Sequence, residues 1–239
     1  RESDQICAAW QWACERRQVG LLDRTILPYH HFLFHQSAFQ EGRDCFAMAV
    51  AMLCDPPGPA EASEYGRVAA RAYVRLGAFC YFLGDHAASE AALAEGVERA
   101  RAHGLQYESA LARLFQGAAA GGRGEVGLAR AQLQEALSIG RASGETALIS
   151  SGLNNLAALD GLYGDFAEGK RLAEESVALN RSLGESERTA HALVQLAWLC
   201  ACRGEYAESE RGWREALALF EPEERRYGLA MATGGVAYV

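Results

Sequence analysis

The sequence predicts an all-α fold, a right-handed α-solenoid of antiparallel helix pairs, on three observations. A glycine followed by an acid recurs at Gly84-Asp85, Gly124-Glu125, Gly164-Asp165 and Gly204-Glu205, with forty residues between neighbouring copies. A second glycine series, Gly104, Gly144 and Gly184, lies twenty residues after the first. No segment alternates apolar and polar residues long enough to form a half-buried strand. A fixed period of this length marks stacked supersecondary units, so the core is continuous along the stack and length alone does not count domains.

The first series places the turn inside each unit and the second closes each second helix, where glycine accepts the left-handed conformation common at helix C-termini. Each helix then has 16 to 18 residues and a length of about 25 Å. Aligned on the turn glycines, small residues recur at Ser89, Ala129, Gly169 and Ser209, and again at Gly96, Ala136, Ser176 and Ala216. Gly77, Gly117, Ala157 and Ala197 stand seven positions before the turns. Small side chains at fixed helical positions let paired backbones approach.

Before the regular array, residues 4–20 are expected to form a helix with Asp4 as N-cap, a stripe through Ile6, Ala9, Trp10, Ala13 and Cys14, and Gly20 as its end. A second helix from about Asp23 carries Tyr29, Phe32, Leu33, Phe34 and Phe39, with Pro28 in its first turn or as a kink. A third runs from Phe46 to Leu53 after Gly42, which is placed at a turn. Asp55-Pro56-Pro57-Gly58-Pro59 holds three of the five prolines and is a rigid loop. The expected organisation is a degenerate or capping repeat over residues 1–60 and an array over residues 61–239, with four full repeats and the start of a fifth. The apolar run near Ala230 suggests a piece of a longer protein.

Composition narrows the functional classes. Hydrophobic residues make up 50% of the 239, which suits closely packed helices. The net charge of -8 and pI near 5.3 argue against nucleic-acid binding, which rests on clustered cations. Lys170 is the one lysine among 23 basic residues. Seven cysteines without framework spacing point to free, buried thiols and a reducing, cytoplasmic compartment. Cys200-x-Cys202 is too closely spaced for the usual zinc pair and sends its side chains to different sides of a helix. No apolar run reaches the ~20 residues that cross a bilayer.

The repeat pattern resembles the tetratricopeptide repeat (TPR). The best copy is Leu153, Leu156-Ala157, Gly164-Asp165-Phe166, Gly169 and Ser176; the next is Leu193, Leu196-Ala197, Gly204-Glu205-Tyr206, Ser209, Trp213 and Ala216. Arg113 and Gln116 depart from that pattern, and the period is forty rather than the usual thirty-four. Units of this length with Asn-Asn-Leu and Ser-Leu-Gly-Glu endings are similar to the sensor regions of STAND-class signal-transduction ATPases and LuxR-type large transcriptional regulators. That resemblance implies a bacterial signalling protein in which ATP and magnesium belong to a neighbouring domain, with no cofactor in this chain. It further implies an inducer-binding array that relieves autoinhibition and contacts an ATPase or arm module within the same polypeptide. A constitutive interaction scaffold is the alternative.

In such arrays the first helices line the concave face. The expected binding positions are Arg71, Arg75 and Tyr81, then Leu111, Leu114 and Phe115, then Asn154 and Asn155, and finally His191, Gln195 and Trp198. Amides pair with a peptide backbone and arginines fork onto carboxylates, so a protein, peptide or small-molecule inducer is the expected partner. His31 and His35 share a helix face but lack a third ligand, so they are expected to be packing residues, and no metal is assigned. No catalytic constellation is present: Gly121-Gly122-Arg123-Gly124 lacks the Lys-(Ser/Thr) and the strand of a phosphate loop.

Overall fold

The computed structural model describes residues 2–220 together with residue 233, side chains being described from residue 5 onward. The described residues form helices joined by short turns, with no strand among them: α1 (Glu2–Glu15), α2 (Val19–His35), α3 (Phe39–Leu53), α4 (Ala62–Phe82), α5 (His86–Ala102), α6 (Gln106–Gly122), α7 (Val126–Ser143), α8 (Thr146–Leu162), α9 (Phe166–Ser182), α10 (Ser186–Cys202) and α11 (Tyr206–Phe220). This is the all-α, antiparallel helix-pair architecture that the period requires. The chain divides into two compact units, residues 1–119 and residues 120–239. The expected fifth repeat lies outside the described residues.

In the regular repeats α4, α6, α8 and α10 are first helices and α5, α7, α9 and α11 second helices. Every glycine of both series has positive φ, from 67° at Gly104 to 91° at Gly164. The acid after the turn glycine has two behaviours. Asp85 accepts from the Ala88 amide at 3.1 Å and Asp165 from the Glu168 amide at 3.3 Å, each capping a second helix. Glu125 makes no such cap and holds Arg123 instead, at 2.8 Å.

Between the paired helices the small residues do what their spacing implies. In the first unit, a side chain at Gly77 would meet Leu93 at 2.6 Å and one at Gly96 would meet Val74 at 2.8 Å, so α4 and α5 lie closer than any larger residue permits. Ser89 sits in the same contact and donates to the Gly77 carbonyl at 2.9 Å. In the second unit, Asn180 of α9 donates to Ser150 of α8 at 2.8 Å and to the Arg188 carbonyl of α10 at 3.4 Å, a buried polar tie across three helices. Exposed arginine–glutamate rungs link successive second helices, Arg141–Glu175 at 2.7 Å and Arg181–Glu215 at 2.5 Å.

The first three helices follow the same rhythm with different residues. The first turn is at Arg17 (φ 53°) and the second at Ser37 (φ 54°), twenty residues on. Gly20 therefore does not end α1 but lies within α2, and Asp4 lies inside α1 rather than capping it. Gly42 is likewise helical: it is buried in α3, where an added Cβ would come within 2.6 Å of the Phe79 ring of α4. Pro28 is interior to α2, well past its first turn, and Phe39 opens α3 instead of ending α2. Large aromatics replace the small contacts here. The Trp10 ring packs at a tilt against Tyr29 and Phe46, with centroids 4.7 and 5.2 Å away, and Trp10 Nε1 donates to the Cys45 carbonyl at 3.0 Å. The proline segment joins α3 to α4, which pack directly on each other.

Two substitution tests follow from the turns. Asp165→Ala should lower stability by about 1 kcal/mol, whereas Glu125→Ala, at the equivalent position without a cap, should change it by only a few tenths. Ser37→Gly should raise stability by about 0.5 to 1 kcal/mol by removing the left-handed penalty of a residue with a Cβ. Urea unfolding monitored by circular dichroism checks all three.

Candidate partner-binding faces

In the first unit the first-helix face is built by α2, α4 and α6. At one end Arg71 donates to Asp23 of α2, and Arg67 stands 3.3 Å from the other oxygen of that carboxylate. Glu108 of α6 is buried and receives Arg71 and Arg75, both at 3.6 Å. Three guanidiniums at four-residue spacing on α4 thus meet two carboxylates from the neighbouring first helices. Arg71 remains 27% exposed on this face. Arg75 is only 2% exposed, so it is a buried member of the cluster rather than a groove-lining side chain. Its Nε and Nη1 make no hydrogen bond, and burial pulls its pKa below the ordinary arginine value.

Beyond Arg75 the face turns aromatic. Tyr81 lies 5.7 Å and Phe82 6.0 Å from the Phe115 ring, and Phe34 of α2 meets Phe82 edge-on at 5.0 Å. These rings are half-buried, with apolar faces available beside the charged end. Leu111 is half-buried in the same core and Leu114 is buried. His30 packs against Phe79 at 5.1 Å; burial, reinforced by the Arg75 charge, holds its pKa down to about 3 and keeps it neutral. His31 and His35 are exposed, with ring centroids 6.2 Å apart.

In the second unit the expected residues lie on α8 and α10, which pack together. Asn155 donates to the Ser151 carbonyl of its own helix at 2.8 Å. The Asn154 Oδ1 and the Gln195 Nε2 are buried without hydrogen-bond partners, one acceptor and one donor. Trp198 lies against Gly161, where any side chain would come within 2.4 Å of the indole. His191 packs edge-on against Phe220 at 5.0 Å. Five of the expected positions therefore belong to this unit and the others to the first.

A polar groove of about 370 Å³ between α7 and α9 escaped the sequence reading. Its floor includes Asp160 of α8, which is 1% exposed and takes Arg130 Nη2 at 2.5 Å. Forty residues on, Lys170 holds Glu205 at 2.7 Å and Glu208 at 3.0 Å beside Cys200. Among the described residues Cys200, Glu205 and Glu208 are the one set close enough to hold a cation, and the Lys170 ammonium already supplies it. Lys170 and Arg203 together hold the Glu205 carboxyl down to about 2, while burial pushes the Cys200 thiol up to about 11. The shared cation at positions 130 and 170 was a signal the sequence did carry. The cysteines are free, and Cys54 and Cys202 are exposed, not buried as expected.

No family model matches the chain, and no curated protein matches it by sequence. Solved structures do share its fold. A Rap protein complexed with competence and sporulation factor aligns with a TM-score of 0.73 at 14% identity, over 85% of this chain and 55% of that one. The chain thus spans about half the length of that Rap protein. BtubC (BKLC) from P. vanneervenii aligns at 0.68 with 16% identity over 92% of both chains. A Podosopora anserina putative kinesin light chain with nearly identical TPR-like repeats gives 0.57 at 16% identity, over 90% of this chain and 98% of that one. The fold is that of the TPR-like repeat proteins.

His30 gives this face a pH signature. Above pH 6.5 it is neutral in both the folded and unfolded chain; between 6.5 and about 3 only the unfolded chain gains the proton, so stability falls as pH falls through that window. The slope from His30 should approach about 1.4 kcal/mol per pH unit. His30→Phe, which keeps a ring against Phe79, should flatten the pH dependence measured by urea unfolding between pH 7 and pH 4.

Proposed function

We propose that this chain is a partner-binding TPR array that takes a protein or peptide segment on its first-helix faces. The observation that carries this reading is the run on α2, α4 and α6, where half-buried aromatic rings of Tyr81, Phe82 and Phe115 adjoin the Arg67–Arg71–Glu108 cluster. Rings offer apolar area at low entropic cost, and Arg71 can receive a carboxylate or a backbone carbonyl. In the second unit the half-buried Asn155 presents an amide that suits a peptide backbone. The Rap protein of similar fold, complexed with competence and sporulation factor, supports ligand binding by such arrays.

Within a larger polypeptide we read the array as the cytoplasmic sensor of a STAND-class ATPase or transcriptional regulator. Residues 1–60 would be the arm-proximal segment, and nucleotide would be held by a neighbouring module. An inducer would relieve autoinhibition only to the extent that it binds one arrangement of array and ATPase more tightly than the other. The second reading is a constitutive scaffold that uses the same faces without a switch. Nucleotide-dependent partner affinity in the parent protein supports the sensor, and indifference to nucleotide supports the scaffold.

The test is capture from a lysate with the full chain, identification by mass spectrometry, and titration of the purified partner against wild type and variants. Tyr81→Ala with Phe115→Ala should weaken binding at least about tenfold, and Asn155→Ala should weaken it further, with helicity unchanged. Undiminished affinity in all variants would refute the assignment of these faces.

A further inference from the structure

The groove of about 370 Å³ on α7, α8 and α9 of the second unit lies on the second-helix side, apart from the first-helix faces, and its charges are unevenly used. Arg130, Gln134, Ser138 and Arg141 form its α7 wall at four-, four- and three-residue spacing, so they share one side of that helix. The rim satisfies itself: Arg171 of α9 holds both Glu168 oxygens, at 2.6 and 2.8 Å, and Glu175 takes Arg141 at 2.7 Å. The floor is left incomplete. Asp160 is 1% exposed, yet only its Oδ1 is engaged, by Arg130 Nη2 at 2.5 Å, and its Oδ2 is buried without a hydrogen-bond partner. Among the described residues Arg130 has no second carboxylate for its Nε and Nη1.

The next repeat shows the same place closed by the chain itself. Forty residues on, the equivalent cation Lys170 is held by Glu205 and Glu208 together, and Cys200 stands where Asp160 does. The corresponding acids of the α7–α9 groove are Asp165 and Glu168, and both are engaged elsewhere, Asp165 in capping α9 and Glu168 in holding Arg171. A buried carboxylate oxygen without a donor costs free energy, so the Asp160–Arg130 pair is unfinished at both ends. One oxygen calls for a donor, and the guanidinium beside it calls for an acceptor. A metal ion would face the three guanidiniums that line the groove, and a simple anion would face Oδ2. A ligand with an ammonium and a carboxylate on one carbon answers both ends at once. Leu137, Leu156 and Leu172 add apolar contact between the charged groups. We propose that this groove binds a free α-amino acid with an aliphatic side chain. Its ammonium donates to Asp160 Oδ2, its carboxylate accepts from Arg130 and Gln134, and its side chain rests on the leucines.

Isothermal titration calorimetry of the full chain with L-alanine, L-valine and L-leucine tests this. At least one should bind with a Kd of about 1 mM or tighter. The matched controls for leucine are isoamylamine, which lacks the carboxylate, and 4-methylpentanoate, which lacks the ammonium; each should bind at least about tenfold more weakly than leucine. Asp160→Asn keeps an acceptor for Arg130 but places an amide donor where the ammonium would sit, and should weaken amino-acid binding at least about tenfold. Gln134→Glu, at an exposed position that no fold contact depends on, sets a like charge beside the ligand carboxylate and should weaken binding at least about fivefold without changing Tm. It keeps the test decisive if Asp160→Asn does not fold. Absence of binding by all three amino acids overturns the proposal. Binding of isoamylamine or 4-methylpentanoate as tight as that of leucine overturns the zwitterion, and amino-acid binding undiminished in Gln134→Glu or in folded Asp160→Asn overturns the site.

Discussion

The constraint on which the rest depends is the left-handed residue that recurs every twenty positions through each run of helices. It reverses the chain at a fixed interval, so successive helices are laid antiparallel and their small residues fall opposite one another. Gly77 against Leu93 and Gly96 against Val74 are consequences of that register, not independent choices. Where the backbone spacing is set this tightly, side chains on the first-helix face stand at fixed repeat positions. Arg71, with Tyr81 and Phe115, is presented by helices whose inner faces are already committed to packing.

The same constraint explains why the first unit carries both a charged and an aromatic end. Successive first helices lie side by side, so residues at one height on α2, α4 and α6 become neighbours across the face. Asp23, Arg71 and Glu108 meet at one height, and Phe34, Phe82 and Phe115 at another. Arg75 stands among the charges with 2% exposure and two unbonded nitrogens. Burial of a guanidinium costs free energy unless it is paired, and the 3.6 Å approach of Glu108 offsets part of that cost.

The turn glycines made the fold legible because positive φ leaves a sequence mark wherever glycine is used. The mark fails at Arg17 and Ser37, which take the same conformation with a side chain, while Gly20 and Gly42 are helical and mislead. The aromatic side chains of the candidate face could be named from repeat position alone. The burial of Arg75 could not, since it depends on Glu108 arriving from another helix. The groove around Asp160 likewise depends on Arg130, thirty residues away and one helix earlier. Helical periodicity describes one helix at a time, and these groups are assembled from three.

The central claim, that the first-helix faces carry recognition, is tested most directly by hydrogen–deuterium exchange of the full chain with and without its captured partner. The account predicts new protection on first helices, α4 and α6 in the first unit or α8 and α10 in the second. Protection confined to α5, α7 and α9, the second helices, would contradict it.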